Sequence, residues 1–463
     1  MNVILVISDT VRASYCGCYG STWVDTPNID ALARESVLME NYYTASFPTG
    51  PMRKDTQSGR FTFPYAAWRD ERPEGETVLA EWLAAAGAAT AWIGDTTNSK
   101  QYLHGYEHLQ YIGSEGANLA SVPERVELPA DLRKLRGPES WAMRIARNAL
   151  AWDGEEDRSC ARTMRAAHRW LENRAADPRP FFLCVDTFDP HEPWDPPQYY
   201  IERYDPGYTG QKLMEPAYEP AGYATSREIL HMRRRYAAKL TMVDRWLGYL
   251  LDGVRRMGLR ETTAILFTSD HGFYHGEHGL IGKVELGRDN KLTRRWPLYE
   301  TIAHPPLLLC VPGIEGGKRL DAFCQPPDLA PTILELMGVE KPDRIQGASL
   351  APLLRGEREA NRHWAVSSCT CATDALVRAP SMYRTREWLY VYGGDEWASE
   401  LYNLEIDPAE TYDTIKSERR KAQELHDAYL GFLESVAAPA NVLDARREFC
   451  PTPRAVPPGS VTI

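Results

Sequence analysis

The sequence predicts an α/β protein with a large, mostly parallel central sheet and a small C-terminal α+β subdomain carrying a short antiparallel sheet. Three observations carry this expectation. Apolar runs at residues 3–7, 181–185 and 263–268 are continuous rather than alternating, as strands covered by helices on both faces are. Two of these runs lead into Asp9 and Asp270, and the C-terminal ends of such strands are where ligands bind. Near the end of the chain, residues 388–392 and 400–404 alternate apolar and polar positions, as a hairpin with one wet face does. At 463 residues the chain exceeds one small core, so a catalytic-sized domain over 1–365 and a subdomain over 366–463 are expected.

Composition excludes some functions before any motif is read. A hydrophobic fraction of 43% and a charged fraction of 25% are ordinary for a soluble globular chain. The net charge of -11 argues against a nucleic-acid partner, which would need a basic surface. The 9 cysteines are odd in number and scattered, without CxxC pairs, which reads as reduced thiols in a cytoplasm. The first apolar run is too short for a membrane span and has no basic stretch before it, so no membrane partner is expected.

Taken in order, the first strand delivers Asp9 to a sheet edge. Thr26 and Pro27 then read as the cap and first position of a helix running to about residue 35. In residues 44–61, TASFPTGPMRKDTQSGRF, the hydroxyl of Thr49 stands four residues before Arg53, with Pro51 between them at a helix start. A helix over 78–86 and a strand over 88–93 make one β-α-β step, followed by Gly94, Asp95, Thr96, Thr97 and Asn98. Residues 105–155 are rich in charge and lack a period. They are expected to form a surface insertion that contributes to substrate choice or to a homo-oligomer contact. A helix over 157–174 precedes the strand at 180–186, which runs on into Asp189, Pro190, His191, Glu192, Pro193 and Trp194. Residues 195–225 read as a rim over the pocket. Leu240, Val243, Leu247, Leu250, Leu251 and Val254 share one face of a long helix and are core. The strand at 263–268 then brings Asp270 and His271 to the sheet edge, two metal-ligand types beside Asp9, with Lys283 twelve residues beyond His271. A strand from 307, a helix over 325–336 and a helix over 417–435 complete the reading.

These motifs together resemble sulfatases. Thr49-Gly50-Pro51-Met52-Arg53 followed by Ser58-Gly59-Arg60 resembles the family's Cys/Ser-x-Pro-x-Arg signature, and Asp270-His271-Gly272 with His278-Gly279-Leu280-Ile281-Gly282-Lys283 resembles its second signature. The opening Asp9, the Cys18-Tyr19-Gly20 turn and the TPNID helix fit the same pattern, so the resemblance covers most of the chain. It implies an alkaline-phosphatase-like α/β/α sandwich. It also implies a catalytic set of Thr49, Arg53, His191 and Lys283, with one divalent metal ion on Asp9, Thr49, Asp270 and His271. Ser8 and Thr10 flank Asp9 where many calcium-binding sulfatases have a second Asp, which looks more like the phosphonate monoester and phosphodiester hydrolase branch. Manganese or calcium is favoured and zinc is the third candidate.

Two departures bear on the reaction. Threonine cannot be oxidised to formylglycine, so none is expected, and the family's Gly-Lys-Trp-His is replaced by Gly94-Asp95-Thr96-Thr97. A sulfated threonine has no second hydroxyl with which to expel its sulfate, whereas a phosphorylated threonine is open to attack by water at phosphorus. The main expectation is therefore a small anionic substrate that is a phosphate monoester, phosphodiester or phosphonate ester, cleaved through Thr49. The alternatives are a sulfuric ester hydrolase working without formylglycine and an anion-binding protein without turnover.

Overall fold

The computed structural model describes residues 1–449 except 69–71, 73–74, 97–99, 114–129, 138–151, 153, 175 and 374–375. The strands that build the two main sheets are β1 Asn2–Ser8, β2 Val37–Tyr42, β3 Ser46–Phe47, β4 Ala89–Gly94, β5 His108–Tyr111, β6 Phe181–Thr187, β7 Thr263–Thr268, β8 Leu307–Cys310, β9 Lys318–Cys324, β10 Trp364–Cys369, β11 Ser381–Thr385, β12 Trp388–Tyr392 and β13 Glu400–Asn403. Among the helices, α1 is Pro27–Arg34, α2 Thr49–Ser58, α3 Leu79–Ala85, α4 Ser159–Asn173, α5 Ser226–Arg256, α6 Leu329–Leu336 and α7 Arg419–Ser435.

Eight strands form the central sheet in the order β9-β2-β8-β7-β1-β6-β4-β5. Among the described strands only β8 runs antiparallel to its neighbours, β2 and β7. β1 lies between β6 and β7 with both pairings parallel, so the ends of these three strands open at one edge. The side chains of β1 alternate between two cores: Ile4 and Val6 pack with α4 and α5, whereas Val3, Leu5 and Ile7 pack with α3 and α6. This two-sided burial is why the strand reads as a continuous apolar run rather than an alternating one. The six stripe residues of α5 are buried, as their spacing predicts.

The second sheet follows the order β13-β12-β11-β10-β3, and its core packs against α7. Its strands pair antiparallel except at one end, where β10 lies parallel to β3. The pair Ser46–Phe47 stands just before α2, so the small sheet is tied to the segment that carries Thr49.

The expected insertion at 105–155 lies largely outside the described residues. Within its described part, His108–Tyr111 is an edge strand of the central sheet rather than a surface addition, with alternate residues exposed. Of the Gly94–Asn98 stretch, Thr97 and Asn98 lie outside the described residues. The eight described cysteines are all free, and among the described residues no helix is long and apolar enough to cross a membrane.

Candidate active site and metal centre

Asp9 and Asp270 follow β1 and β7, neighbouring parallel strands, so the topology puts the two carboxylates side by side. Asp9, Asp270 and His271 are fully buried, and each offers a ligand atom within 4.8 Å of the others. The backbone N–H groups of Thr10 and His271 donate to Asp270 Oδ1 at 2.9 and 2.8 Å. The Thr10 hydroxyl donates to Asp9 Oδ1 at 2.6 Å, and Lys283 Nζ donates to that hydroxyl at 3.1 Å. Thr10 has φ 66, a left-handed conformation that is costly for a β-branched residue. It is held there by these bonds and by Tyr236, whose hydroxyl donates to the Thr10 carbonyl at 2.8 Å. Strain maintained by several surrounding contacts is characteristic of functional positions.

The helix α2 carries Thr49 and Arg53. Although its sequence, TGPMRKDTQS, is polar, every residue of it is buried. Local bonds make this tolerable: Asp55 accepts from the N–H and hydroxyl of both Ser46 and Thr62, and Lys54 Nζ donates to the Ala67 carbonyl at 2.7 Å. The helix ends at Gly59, whose φ of 68 gives a left-handed cap, and a side chain there would press on Ile345. At its other end, Thr49 Oγ1 lies 3.2 Å from His271 Nε2. His271 Nδ1 donates to the Gly272 carbonyl at 2.9 Å, which leaves Nε2 as the acceptor facing Thr49. Burial lowers the His271 pKa to about 4, so the ring is neutral near pH 7, the state a metal ligand requires.

Arg53 is four residues along α2 and donates to the Thr49 carbonyl at 3.0 Å. Its guanidinium is saturated by carboxylates. Arg53 Nε and Nη2 donate to Asp186 at 2.9 and 2.7 Å, Nη1 donates to Asp270 at 2.8 Å, and Nη2 lies 3.4 Å from Asp9. Arg53 therefore organises the acidic groups rather than standing free. Asp186, which has no role in the sequence reading, is its principal partner, and the pair is separated by 133 positions in the chain.

This cluster fits a divalent cation on its own chemistry. Asp9, Asp186 and Asp270 face the cationic side chains of Arg53 and Lys283 in a buried volume, three acids against two cations, so full ionisation of the acids leaves room for further positive charge. Burial pushes the Asp9 carboxyl up, and the adjacent Asp270 adds to the shift. Among the described residues Asp9 Oδ2 is buried and accepts no hydrogen bond, its contact with Arg53 Nη2 being 3.4 Å long. A buried acceptor left in that state is costly unless a cation takes it. The donor set of two carboxylates, one neutral imidazole and a hydroxyl suits a metal of hard or borderline character.

His191 lies in the turn after β6. Its Nδ1 donates to the Glu192 carbonyl at 2.7 Å and its ring stacks on Phe188 at 3.9 Å. It makes no hydrogen bond to Thr49 among the described contacts, but it feels the charge of Lys283, which belongs to the same site. Burial pushes its pKa well down. The turn is pinned by Lys239 of α5, which pairs with Asp189 at 2.6 Å and donates to the carbonyls of His191 and Pro193 at 3.1 and 2.8 Å. The long helix thus supports the site through Lys239, beside the stripe of core residues read from the sequence. The expected rim at 195–225 is likewise more than a rim, since Tyr218 is buried and its hydroxyl donates to Glu192. Asp95, where the family's Lys would stand, is buried and accepts the Phe188 N–H at 2.6 Å. Burial raises its pKa to about 8, and it offers an anion no cationic contact.

With this geometry in hand, residues 1–339 match the family model described as Sulfatase. The chain belongs to the sulfatase family. Residues 289–430 match the model of the N-sulphoglucosamine sulphohydrolase C-terminal region. An ulvan-active sulfatase of Formosa agariphila is 27% identical over 403 residues, covering 84% of this chain and 72% of the relative. An N-acetylglucosamine-6-O-sulfatase of Bacteroides thetaiotaomicron is 24% identical, covering 91% and 84%. Among solved structures, a protein in complex with its substrate D-glucosamine-2-N,6-O-disulfate aligns with TM-score 0.71 at 20% identity, covering 95% of this chain and 99% of that one. The phosphonate monoester hydrolase of Agrobacterium radiobacter aligns with TM-score 0.72 at 20% identity, covering 94% and 95%. The protein is thus a sulfatase-family hydrolase with the alkaline-phosphatase-like fold expected of it. Its relatives fit the sulfuric ester alternative better than the phosphorus ester taken above as the main expectation.

Proposed function

We propose that the protein hydrolyses a sulfuric ester of a small anionic substrate, without formylglycine, at the buried cluster around Thr49. The observation that carries this reading is the convergence of Thr49, Asp9, Asp270, His271 and Lys283 on one sheet edge, with Thr49 Oγ1 3.2 Å from His271 Nε2. Family membership and the sulfatase relatives support sulfur as the reacting centre. Asp9, Asp270, His271 and the Thr49 hydroxyl would hold the divalent ion, which when bound supplies Lewis-acid polarisation of the ester. Lys283 neutralises the transferred group, and Arg53 opposes the protonation that burial favours in the carboxylates and holds them in place. Because Thr49 carries one hydroxyl, turnover at sulfur proceeds by direct attack of water. The water oxygen bonds to sulfur as the bond to the alcohol oxygen breaks, His191 in its protonated form passes the Nε2 proton to the departing oxygen, and a proton of the attacking water goes to solvent, from which the ring takes up its proton again for the next cycle.

Thr49 itself favours a second reading, in which its Oγ1 attacks phosphorus and water then releases the phosphoryl group. One panel separates the two. Wild-type protein loaded in turn with manganese, calcium and zinc is given 4-nitrophenyl sulfate, 4-nitrophenyl phosphate, bis(4-nitrophenyl) phosphate and a 4-nitrophenyl phosphonate ester. Multiple turnovers of the sulfate at the highest kcat/KM are expected. Turnover of phosphorus esters alone, with an adduct of about 80 Da on the Thr49 peptide that Thr49→Ala abolishes, would establish the second reading instead. Binding without turnover of any ester would leave an anion-binding protein.

A further inference from the structure

We propose that Glu192 is the positioning residue of His191, a buried carboxylate that orients the imidazole and stabilises its protonated form. The inference rests on the assignment of His191 as proton donor to the leaving oxygen.

Glu192 is fully buried, and its two carboxylate oxygens are used differently. Oε1 accepts from Arg136 Nη1 at 2.9 Å and from the Tyr218 hydroxyl. Oε2 has no hydrogen-bond partner among the described residues, although it lies 3.2 Å from His191 Nδ1. A buried carboxylate oxygen left without a donor is costly, and the Nδ1 beside it belongs to a ring that can become cationic. In the free protein that Nδ1–H is directed to the Glu192 carbonyl, 2.7 Å away. The ring therefore has both of its local acceptors on one residue, which leaves Nε2 for the substrate.

The electrostatics give this arrangement a purpose. Burial drives His191 toward its neutral form, and the charges of Lys283 and Arg136 push the same way. A neutral imidazole carrying its proton on Nδ1 has none to give at Nε2. Glu192 opposes those effects, and burial of Glu192 itself is offset by Lys283, Arg136 and Tyr218, which keep it ionised whether or not the His191 ring is charged. Arg136 also pairs with Glu215 at 2.9 Å and lies 4.7 Å over the Tyr218 ring, so the carboxylate is held from the side away from His191. The arrangement is that of a base oriented by a third group.

A proton donor matters most when the leaving group is poor, and this supplies a readout that a merely structural role would not move. The test uses metal-loaded protein and a series of substituted phenyl sulfates, from 4-nitrophenyl to unsubstituted phenyl, or the corresponding phosphorus esters if those are what it turns over. Glu192→Gln keeps the shape of the side chain and removes its charge. Its kcat/KM is expected to fall on the order of 10²-fold for the phenyl ester and by no more than about threefold for the 4-nitrophenyl ester. Glu192→Asp, which keeps the buried charge beside Arg136 but withdraws the oxygen from Nδ1, should show the same dependence and serves if the Gln variant does not fold. Equal losses across the series, or no loss, in the folded variant would overturn the inference. His191→Ala is run in parallel. If it alone depends on the leaving group, the role of Glu192 fails while the proton donor stands, and if neither variant does, the assignment of His191 fails as well.

Discussion

Arg53→Met is expected to cost about 3–5 kcal/mol of stability, the range for removing one partner of a buried ion pair. Arg53 is 1% exposed and contacts three carboxylates, those of Asp186, Asp270 and Asp9. Methionine fills much of the same volume, so the loss isolates the charge. Without the guanidinium, the buried acids repel one another and must take up protons or a cation to stay inside. Denaturant titration of wild type and variant measures the difference. The variant should also recover stability on addition of manganese or calcium to a greater extent than wild type, because a divalent ion restores part of the missing positive charge. Equal stability in the two proteins, with no added dependence on metal, would show that the carboxylates are satisfied by something other than Arg53.

Asp270→Asn should empty the metal site and lower kcat by at least 10²–10³-fold, on the order of the loss of one strong transition-state contact. The side chain keeps its shape, but it exchanges an anionic oxygen for an amide donor that would point at Arg53 Nη1 or at the N–H groups of Thr10 and His271. Elemental analysis of the purified protein gives the metal content, and chelator-treated wild type is the control that separates loss of metal from loss of fold. Full metal content in Asp270→Asn would place the ion elsewhere. If chelated wild type retained full activity, the metal would be outside the reaction altogether.

The strand ends carrying Asp9 and Asp270 were legible because strands buried on both faces leave a continuous apolar run, and a carboxylate just past such a run has few structural reasons to be there. Asp9, Asp270 and His271 meet as that pattern implies, and Thr49 joins them through a motif spaced for a helix start. The spacing from Thr49 to Arg53 also announced a helix. It could not announce that the helix would be buried along its whole length, since a polar decapeptide is ordinarily a surface element. The burial depends on partners such as Ser46, Thr62 and the Ala67 carbonyl, which satisfy its side chains only once the chain has folded around it.

What the sequence by itself determined is therefore the fold class, the family and the residues at the sheet edge, because each is written in local runs and fixed spacings. The tertiary structure decided which of those residues are free to meet a substrate. Arg53 turned out to be claimed by Asp186, 133 positions away, and His191 to be flanked by a carboxylate that is itself held by Arg136 and Tyr218. Neither the Arg53–Asp186 pair nor the hold of Arg136 and Tyr218 on Glu192 has a sequence signal, because long-range contacts depend on which segments become neighbours and on how deeply each group is buried. Those two quantities set the cost of leaving a charge unpaired, and they exist only in the folded chain.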